Sequence, residues 1–418
     1  MKGAPCQFER SREQCVSLKR NESLPFVLDS ARTDTTHTHS TNFKLNFTLQ
    51  TKMIADKEMT TSKKSTTLPT IAGIQQVGIG IPNVHEAFKW YRQHFGMDIP
   101  VVDDAAEANL MLPYTGGKPH QRHAILAINM KGGGGLEIWQ YTSRTPVPAS
   151  FEIQLGDLGL FCARIKTSDV KGSYNFLKSK NVNLVSEITK DAAGNETFYL
   201  RDPWNNLFQV LKSNSWFGNG QQLTGGPTGC IIGVSDIERS KKFYATILGY
   251  DTVVYDKEGV FEDFKNLPSG NHKVRRVLLK HSKPRVGAFS KLLGESEIEL
   301  VQVEGRTPRR IFENRFWGDL GFIHLCFDIT NQQAMKELCA KNGCPFTVDS
   351  GEKFDMGEAA GHFSYIEDPD GALIEFVETK KIPILKKLGW YLDLRKRDAV
   401  KPLPNWMLKA LALSRVKN

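Results

Sequence analysis

Two amphipathic patterns of helical period occur along the chain, each between short apolar runs that are typical of strands. The segment NVHEAFKWYRQHFG at 83–96 aligns without gaps with DIERSKKFYATILG at 236–249, at an offset of 153 residues. Each predicts one helix, because it opens with an N-capping Asn or Asp and closes with Gly, which tolerates a left-handed end. Tyr91 and Tyr244 occupy the same place on the apolar face.

Further repeats follow the two helices in the same order. They are LEIWQYTSRTP at 136–146 with IELVQVEGRTP at 298–308, GDLG at 156–159 and 318–321, and YLRDPWNNLFQ at 199–209 with YIEDPDGALIE at 365–375. Each match is short, but their common order predicts a tandem duplication between about residues 71 and 379.

Each copy contains the same series twice: a strand, a helix that stops near Gly or Asn, and further strands joined by polar turns. This predicts an α+β fold of four βαβββ modules. Their bounds are about 71–147, 151–213, 225–305 and 316–379. We expect modules that are neighbours in sequence to pair, which gives a first domain at 71–213 and a second at 225–379.

The N-terminal segment, residues 1–70, is rich in Ser, Thr, Asn and charged residues and has no sustained apolar period. We therefore expect a disordered leader. Met53 and Met59 lie just before the first periodic segment, so both are alternative candidates for the translation start.

The C-terminal segment, residues 380–418, is basic and amphipathic. Ile382, Leu385 and Leu388 are at helical spacing, and a second helical pattern surrounds Trp406. Two interpretations of this predicted helical tail remain open. The helices either dock their apolar faces on the folded body, or they bind an anionic lipid surface or a partner.

Composition narrows the function classes. The 40% hydrophobic content suits a globular protein, and no run of eighteen apolar residues predicts a membrane span. The net charge of +9 divides into +4 for residues 1–70, +9 for 380–418 and −4 between them, which argues against a nucleic-acid surface on the body. The seven cysteines form no C-x-x-C pair, and we expect a cytoplasmic protein with reduced thiols.

A βαβββ unit with an Asn-Val or Asp-Ile cap, a Trp-Tyr or Phe-Tyr pair, a Gly stop and an Ile-Glu-Leu strand resembles the vicinal-oxygen-chelate superfamily. That superfamily includes glyoxalase I, extradiol dioxygenases, methylmalonyl-CoA epimerase and bleomycin-resistance proteins. The resemblance implies that two modules close a cupped mixed sheet, and that metal ligands lie on the first and last strands of each module. At the matching positions the second domain offers Gly229, Glu299, His324 and Glu375, and the first offers Gln76, Glu137, Cys162 and Gln209.

The second set has a physical argument of its own. Glu299, His324 and Glu375 each lie between apolar neighbours in a strand-like run, and an ionised carboxylate is costly to bury without a partner. One divalent cation shared by all three is a solution, and this ligand set suits Zn, Fe, Mn, Ni or Co alike. Gly229 would then leave a position for water or substrate. The alternative is that Arg or Lys neutralises the carboxylates and His324 is a hydrogen-bonded core residue.

The first set is the weaker site. Gln76 is a neutral ligand, although glyoxalase I uses a glutamine at the matching position, and Cys162 binds metal only as a thiolate. A decayed metal site, a metal-free binding cup and a purely structural domain all remain open. Arg306 is a candidate for gripping an anionic substrate, as is the equivalent Arg144, unless the two satisfy chain ends. His362 is a further candidate contact to the metal ligands or the substrate, and the alternative is a strand histidine that faces the surface.

The resemblance to glyoxalase I implies a metal-dependent lyase or isomerase acting on a small vicinal-oxygen compound. The cation would polarise a carbonyl, and Glu375 or Glu299 would move the proton of the adjacent carbon. An extradiol-type or 2-oxo-acid dioxygenase is the first alternative, and a non-enzymatic sequestering protein of the bleomycin-resistance type is the second. We expect a small-molecule partner and no nucleic acid, and the sequence leaves a homodimer open.

Overall fold

A computed structural model of the protein describes residues 68–351, 355–356, 359–385 and 390–417. The predicted leader at 1–70 lies outside the described residues except for its last three. Within the described part of the chain, no helix combines the length and apolar character needed to cross a membrane.

Four modules with the predicted order of elements follow one another. The first contains β1 (Thr70–Gly80), α1 (Val84–Phe95), β2 (Ile99–Glu107), β3 (Gln121–Ile128) and β4 (Gly135–Tyr141). The second contains β5 (Gly159–Thr167), α2 (Val170–Ser179), β6 (Asn183–Leu184), β7 (Thr189–Lys190), β8 (Glu196–Arg201) and β9 (Leu207–Lys212).

The third and fourth modules repeat this order. The third contains β10 (Thr224–Gly233), α3 (Ile237–Leu248), β11 (Thr252–Gly259), β12 (Val274–Lys280), the short α4 (Ser290–Leu293) and β13 (Glu297–Val303). The fourth contains β14 (Gly321–Thr330), α5 (Gln332–Lys341), β15 (Val348–Asp349), β16 (Asp355–Met356), β17 (Ala359–Glu367) and β18 (Leu373–Thr379).

The caps of the two repeated helices follow the sequence. The side chains of Asn83 and Asp236 accept hydrogen bonds from backbone N–H groups in the first turns of α1 and α3. Gly96 and Gly249 end these helices in the left-handed conformation, at φ of 65° and 71°. A side chain with a Cβ would be strained there, so both helices stop where the sequence predicts.

The strands form two large mixed sheets, which confirms the α+β class. The first sheet has the order β15-β17-β18-β14-β1-β4-β3-β2, with β16 paired to β17. The second has the order β11-β12-β13-β10-β5-β9-β8-β6, with β7 paired to β8. In both sheets the first strands of two modules pair antiparallel, and each of them also pairs with a parallel strand of its own module. For example, β1 runs antiparallel to β14 and parallel to β4.

The modules do not pair with their sequence neighbours as we expected. The first sheet joins module one to module four through β1 and β14, and the second joins module two to module three through β5 and β10. The expected domains at 71–213 and 225–379 are therefore each divided between the two sheets. Both pairings join the first strands of two modules, so the strand pattern alone does not distinguish them.

One face of each sheet packs on the helices, and the other face carries the candidate site residues. Leu136 of β4, Leu325 of β14 and Tyr91 of α1 belong to one buried core to which all four modules contribute. Because side chains alternate along a strand, the neighbours of Leu136 and Leu325 point away from this core. Glu137 and His324 therefore face the opposite side of the first sheet.

The C-terminal tail differs from the predicted pair of helices. Residues Lys381–Leu385 form β19, which pairs with β20 (Trp390–Asp393) as a hairpin. Pro383 lies in β19, and a proline inside a helix would remove a hydrogen bond and clash with the preceding turn. The second helix is confirmed as α6 (Asn405–Ala410), and Leu408 packs in a cluster that includes Leu126 of β3.

Candidate metal centre

The meeting of β1 and β14 brings together polar side chains from the first and last modules. Gly78 of β1 lies opposite His324 of antiparallel β14 and beside Glu137 of parallel β4. Gln76 and Glu375 both lie beside the residue two positions further along β14. Four adjacent strands, in the order β4-β1-β14-β18, thus supply Gln76, Glu137, His324 and Glu375.

The four side chains converge on one point. His324 Nε2 lies 3.1 Å from Glu137 Oε2 and 3.1 Å from Glu375 Oε2. Gln76 Nε2 donates a hydrogen bond of 3.4 Å to Glu375 Oε2. One ligand atom from each of Glu137, His324 and Glu375 lies within 4.8 Å of the others, so these three residues can hold a metal ion.

Burial of these side chains is uneven. The side chain of His324 is fully buried, that of Glu375 is 9% exposed and that of Glu137 is 22% exposed. Solvent and a small ligand therefore reach the cluster from the side of Glu137. A centre with one open side is the arrangement that a catalytic metal needs, since substrate must take a coordination position.

Gly78 makes room for the imidazole. A Cβ atom on this residue would lie 2.3 Å from Cε1 of His324, closer than any real side-chain contact. The absence of a side chain at this position therefore allows the histidine ring to lie over β1. This glycine was not among the predicted site residues, although it lies two residues after Gln76 on the same strand.

Two aromatic residues that were not predicted as site residues line the imidazole. The Trp317 ring stacks on the His324 ring with centroids 6.3 Å apart and an interplanar angle of 10°. The Tyr365 hydroxyl lies 3.5 Å from His324 Nδ1. Tyr365 lies directly opposite Glu375 in the β17–β18 pair, so strand register alone would have placed it on the face of the site.

The electrostatics of the cluster favour a cation. Burial opposes a charged imidazole, but Glu375 and Glu137 outweigh it and raise the pKa of His324 to about 10. Without a metal, the ring would therefore carry a proton at neutral pH. A divalent ion bound to Nε2 would displace that proton, because metals bind the neutral imidazole.

The donor atoms of the cluster show whether a divalent cation fits it. Gln76 Oε1 is buried and makes no hydrogen bond within the described residues, and Glu137 Oε2 and His324 Nε2, also buried, face each other at 3.1 Å without meeting hydrogen-bond geometry. Buried polar atoms without partners are costly and uncommon in native proteins. Because these three belong to one cluster of oxygen and nitrogen ligands, a divalent cation fits the residues that are present.

Glu299 is not part of this cluster, which corrects its predicted grouping with His324 and Glu375. It lies on β13 of the second sheet, where Arg276 Nη2 lies 2.5 Å from Oε1 and the Tyr255 hydroxyl donates a hydrogen bond of 2.7 Å. Burial would raise the pKa of Glu299, but Arg276 and a second arginine hold it below its usual value. Because module one pairs with module four and module two with module three, Glu299 and Glu375 lie in different sheets. Guanidinium groups neutralise Glu299.

The other predicted ligand positions in the second sheet, Gln209, Cys162 and Gly229, do not form a metal centre either. Gln209 accepts a hydrogen bond of 2.8 Å from Arg164, which also lies 3.0 Å from Glu297. Burial raises the pKa of the Cys162 thiol, so the metal-binding thiolate is disfavoured. Gly229, predicted to leave a coordination position free, lies instead beside Glu297, whose carbonyl oxygen would be 1.7 Å from an added Cβ.

The three candidate substrate contacts have structural partners. Arg306 donates hydrogen bonds of 2.7 Å to Asp157 and 2.6 Å to the Leu155 carbonyl oxygen, and the equivalent Arg144 lies 2.5 Å from Asp319. Each arginine thus forms an ion pair with the aspartate of a GDLG segment, Asp157 or Asp319. His362 lies 2.6 Å from the Asp349 carboxylate on the face of β17 opposite Tyr365, away from the cluster.

Comparisons with known proteins identify the family. The model of the Glyoxalase/Bleomycin resistance protein/Dioxygenase superfamily matches residues 73–210 and 227–376. Glyoxalase I from Zea mays has 14% identity and a TM-score of 0.46, covering 82% of this chain and 96% of that one. The Mn(II)-bound glyoxalase from Novosphingobium aromaticivorans has 12% identity and a TM-score of 0.24, covering 81% and 89%.

A mutant 4-hydroxymandelate synthase from Streptomyces coelicolor has 11% identity and a TM-score of 0.27, covering 82% of this chain and 98% of that one. Among curated proteins, none matches the chain at a significant level. The two matched segments together span more than half of the sequence. The chain therefore belongs to the Glyoxalase/Bleomycin resistance protein/Dioxygenase superfamily.

Proposed function

We propose that the protein is a metal-dependent lyase or isomerase that acts on a small carbonyl compound with oxygens on adjacent carbons. The proposal rests on the convergence of Glu137, His324 and Glu375, whose ligand atoms lie within 4.8 Å of one another. Gln76 adds an unpaired amide oxygen at the position where the resemblance to glyoxalase I implies a glutamine ligand. Two carboxylates and an imidazole suit a divalent metal, whose identity the ligand types leave open.

The proposed reaction requires the site residues to transfer one proton between adjacent carbons of the substrate. A divalent cation bound here would polarise a carbonyl oxygen and so acidify the adjacent C–H bond. The Glu375 carboxylate takes that proton and returns it to the neighbouring carbon. The hydrogen bond from Gln76 to Oε2 orients this carboxylate, and Glu137 is the second candidate for the same transfer.

Aromatic side chains shield the cluster from water except on the side of Glu137. Trp139, Trp317 and Tyr365 are at most 7% exposed and pack in one cluster on the site face of the first sheet. Apolar walls strengthen electrostatic interactions inside the site and restrict it to a small substrate. The proposed substrate is accordingly a small carbonyl compound that enters from the exposed side of Glu137.

The ligand set favours this reaction over a dioxygenase. An extradiol-type iron centre uses two imidazoles and one carboxylate, whereas the cluster in the described residues has one imidazole and two carboxylates. Gln76 lies at the position where the second imidazole would be required. A sequestering protein, in turn, has no need of buried carboxylates that converge on one histidine.

An assay with methylglyoxal and a thiol in D2O tests the proposal, with protein purified without added metal. We expect deuterium at the carbon next to the carbonyl, and a loss of at least about 100-fold in rate for Glu375→Gln. His362→Gln is the matched control, because His362 lies in the same module on the opposite strand face. Full activity of Glu375→Gln would refute the assignment, as would oxygen uptake with a catechol, or tight ligand binding by a metal-free protein without turnover.

A further inference from the structure

A cavity of about 400 Å³ lies where the linker between modules three and four crosses the ends of the two sheets. None of the four candidate metal ligands lines it. Trp317 separates the two places, since it lines the cavity and also stacks on His324. The cavity is therefore distinct from the metal centre, and its size is within the range of small-molecule sites.

The cavity has an apolar interior and a polar opening. Leu160, Phe322 and Ile323 are at most 5% exposed and line the interior. Arg310 and Glu367, both exposed, lie at the opening. A ligand bound here would thus bury an apolar body and leave one polar group near the surface.

The carboxylates of the cavity already have partners. Glu367 Oε1 accepts a hydrogen bond of 2.8 Å from the Tyr114 hydroxyl. Asp370 lies 2.8 Å from Arg239 and also accepts a hydrogen bond of 2.9 Å from the Ser235 backbone N–H. Arg239 thus neutralises Asp370, whereas Glu367 keeps its negative charge beside a neutral hydroxyl.

The arginines of the cavity do not have carboxylate partners. Among the described residues, Arg310 makes no side-chain hydrogen bond or ion pair. Arg315 donates 2.5 Å hydrogen bonds to the carbonyl oxygens of Leu320 and Ile311, and its buried Nε has no partner. Burial lowers the pKa of Arg315 to about 10, so the group stays charged at neutral pH. With Asp370 neutralised by Arg239, the two arginines face one uncompensated carboxylate, Glu367, so the net charge around the cavity is positive.

We propose that this cavity binds an amphipathic monocarboxylate, whose aromatic or aliphatic body occupies the apolar interior and whose carboxylate meets Arg310 at the opening. A guanidinium group suits a carboxylate because its planar N–H donors match the two oxygens. Arg315, in the cavity wall, adds a second positive charge that favours a carboxylate ligand. This binding is independent of the proposed lyase or isomerase reaction.

Calorimetric titration with 4-phenylbutyrate tests the inference, with 4-phenylbutan-1-ol and 4-phenylbutylamine as neutral and cationic probes of the same skeleton. The protein is treated with EDTA first, because a carboxylate could otherwise coordinate a bound metal. We expect the carboxylate to bind at least about ten-fold more tightly than either probe, equally in wild type and in His324→Ala. Binding that disappears when metal is removed would overturn the assignment to this cavity.

Arg310→Gln and Arg309→Gln form a matched pair. Both arginines are exposed neighbours, but Arg309 is paired with Glu313 at 2.8 Å and does not line the cavity. We expect Arg310→Gln to weaken 4-phenylbutyrate binding about ten-fold and Arg309→Gln to leave it unchanged. Equal effects of the two substitutions would overturn the proposal, as would equal affinity for the alcohol or no binding at about millimolar concentration.

Discussion

His324 Nε2 of the fourth module lies 3.1 Å from Glu137 Oε2 of the first module. These two modules share one sheet, although they are the furthest apart in sequence. The candidate metal centre is thus assembled from the two ends of the repeated region. The inner modules form the second sheet, in which Arg276 neutralises the glutamate that corresponds to Glu137. We propose that a cation compensates Glu137, whereas the Arg276 guanidinium group compensates the equivalent Glu299.

Substitution of Gly78 by alanine should displace the imidazole. The added Cβ would lie 2.3 Å from the His324 ring, and overpacking of this kind costs about 1–3 kcal/mol. We expect lower stability in urea unfolding and at least about ten-fold weaker metal binding. In a His324→Ala background the same substitution should cost much less stability, and an equal cost in both backgrounds would show that the clash is not with the ring.

Substitution of Glu299 by glutamine should destabilise the fold without removing metal. Arg276 would keep only Asp263 as a buried carboxylate partner, and breaking a buried ion pair costs about 3–5 kcal/mol. Glu304→Gln is the control, since Glu304 forms an exposed ion pair and its loss should cost less than about 1 kcal/mol. Urea unfolding with a measurement of metal content separates the two effects, and unchanged stability of Glu299→Gln would contradict the assignment.

The stability of metal-free protein should fall as pH rises. The folded-state pKa of His324, about 10, is above the value of about 6.5 in an unfolded chain. Its contribution is therefore complete below about pH 6.5 and is lost as pH rises through about 10. Thermal unfolding of EDTA-treated protein should show this decline. His324→Gln should not show it, and a decline of equal size in that variant would exclude the histidine as its source.

Arg306→Gln should affect stability and leave substrate binding unchanged. The arginine donates hydrogen bonds to buried Asp157 and to the Leu155 carbonyl oxygen. Without it the buried carboxylate would keep only backbone N–H donors and no compensating charge, at a cost of about 1–3 kcal/mol. We expect a lower unfolding midpoint with an unchanged KM for the carbonyl substrate. An increase in KM at unchanged stability would restore its predicted role in binding an anionic substrate.

Sequence alone predicted the parts of the fold that depend on local signals. Asn83 and Gly96 bound a helix because capping and left-handed geometry are local properties of those residues. The eight candidate positions on the first and last strands were also found, and four of them converge. In the tail, helical spacing around Ile382 predicted a helix, but Pro383 favoured the strand that forms instead.

The pairing of modules could not be predicted from strand patterns, because either pairing joins first strands. A chemical signal was nevertheless present in the sequence. Arg164 and Arg276 lie in the apolar runs FCARIK and VRRVLLK, and buried guanidinium groups require carboxylates. If these arginines had been paired with Glu299, that residue would no longer have been a candidate metal ligand. Glu137 would then have been the remaining glutamate to bind metal with His324 and Glu375.

The most direct test of the cross-paired centre compares two substitutions at equivalent positions of the repeat, Glu137→Gln and Glu299→Gln. Metal content is measured by elemental analysis of protein purified without added metal. We predict about one divalent ion per wild-type chain, a substantial loss in Glu137→Gln and full retention in folded Glu299→Gln. Retention in Glu137→Gln together with loss in Glu299→Gln, or a wild-type protein that binds no divalent ion, would contradict the account.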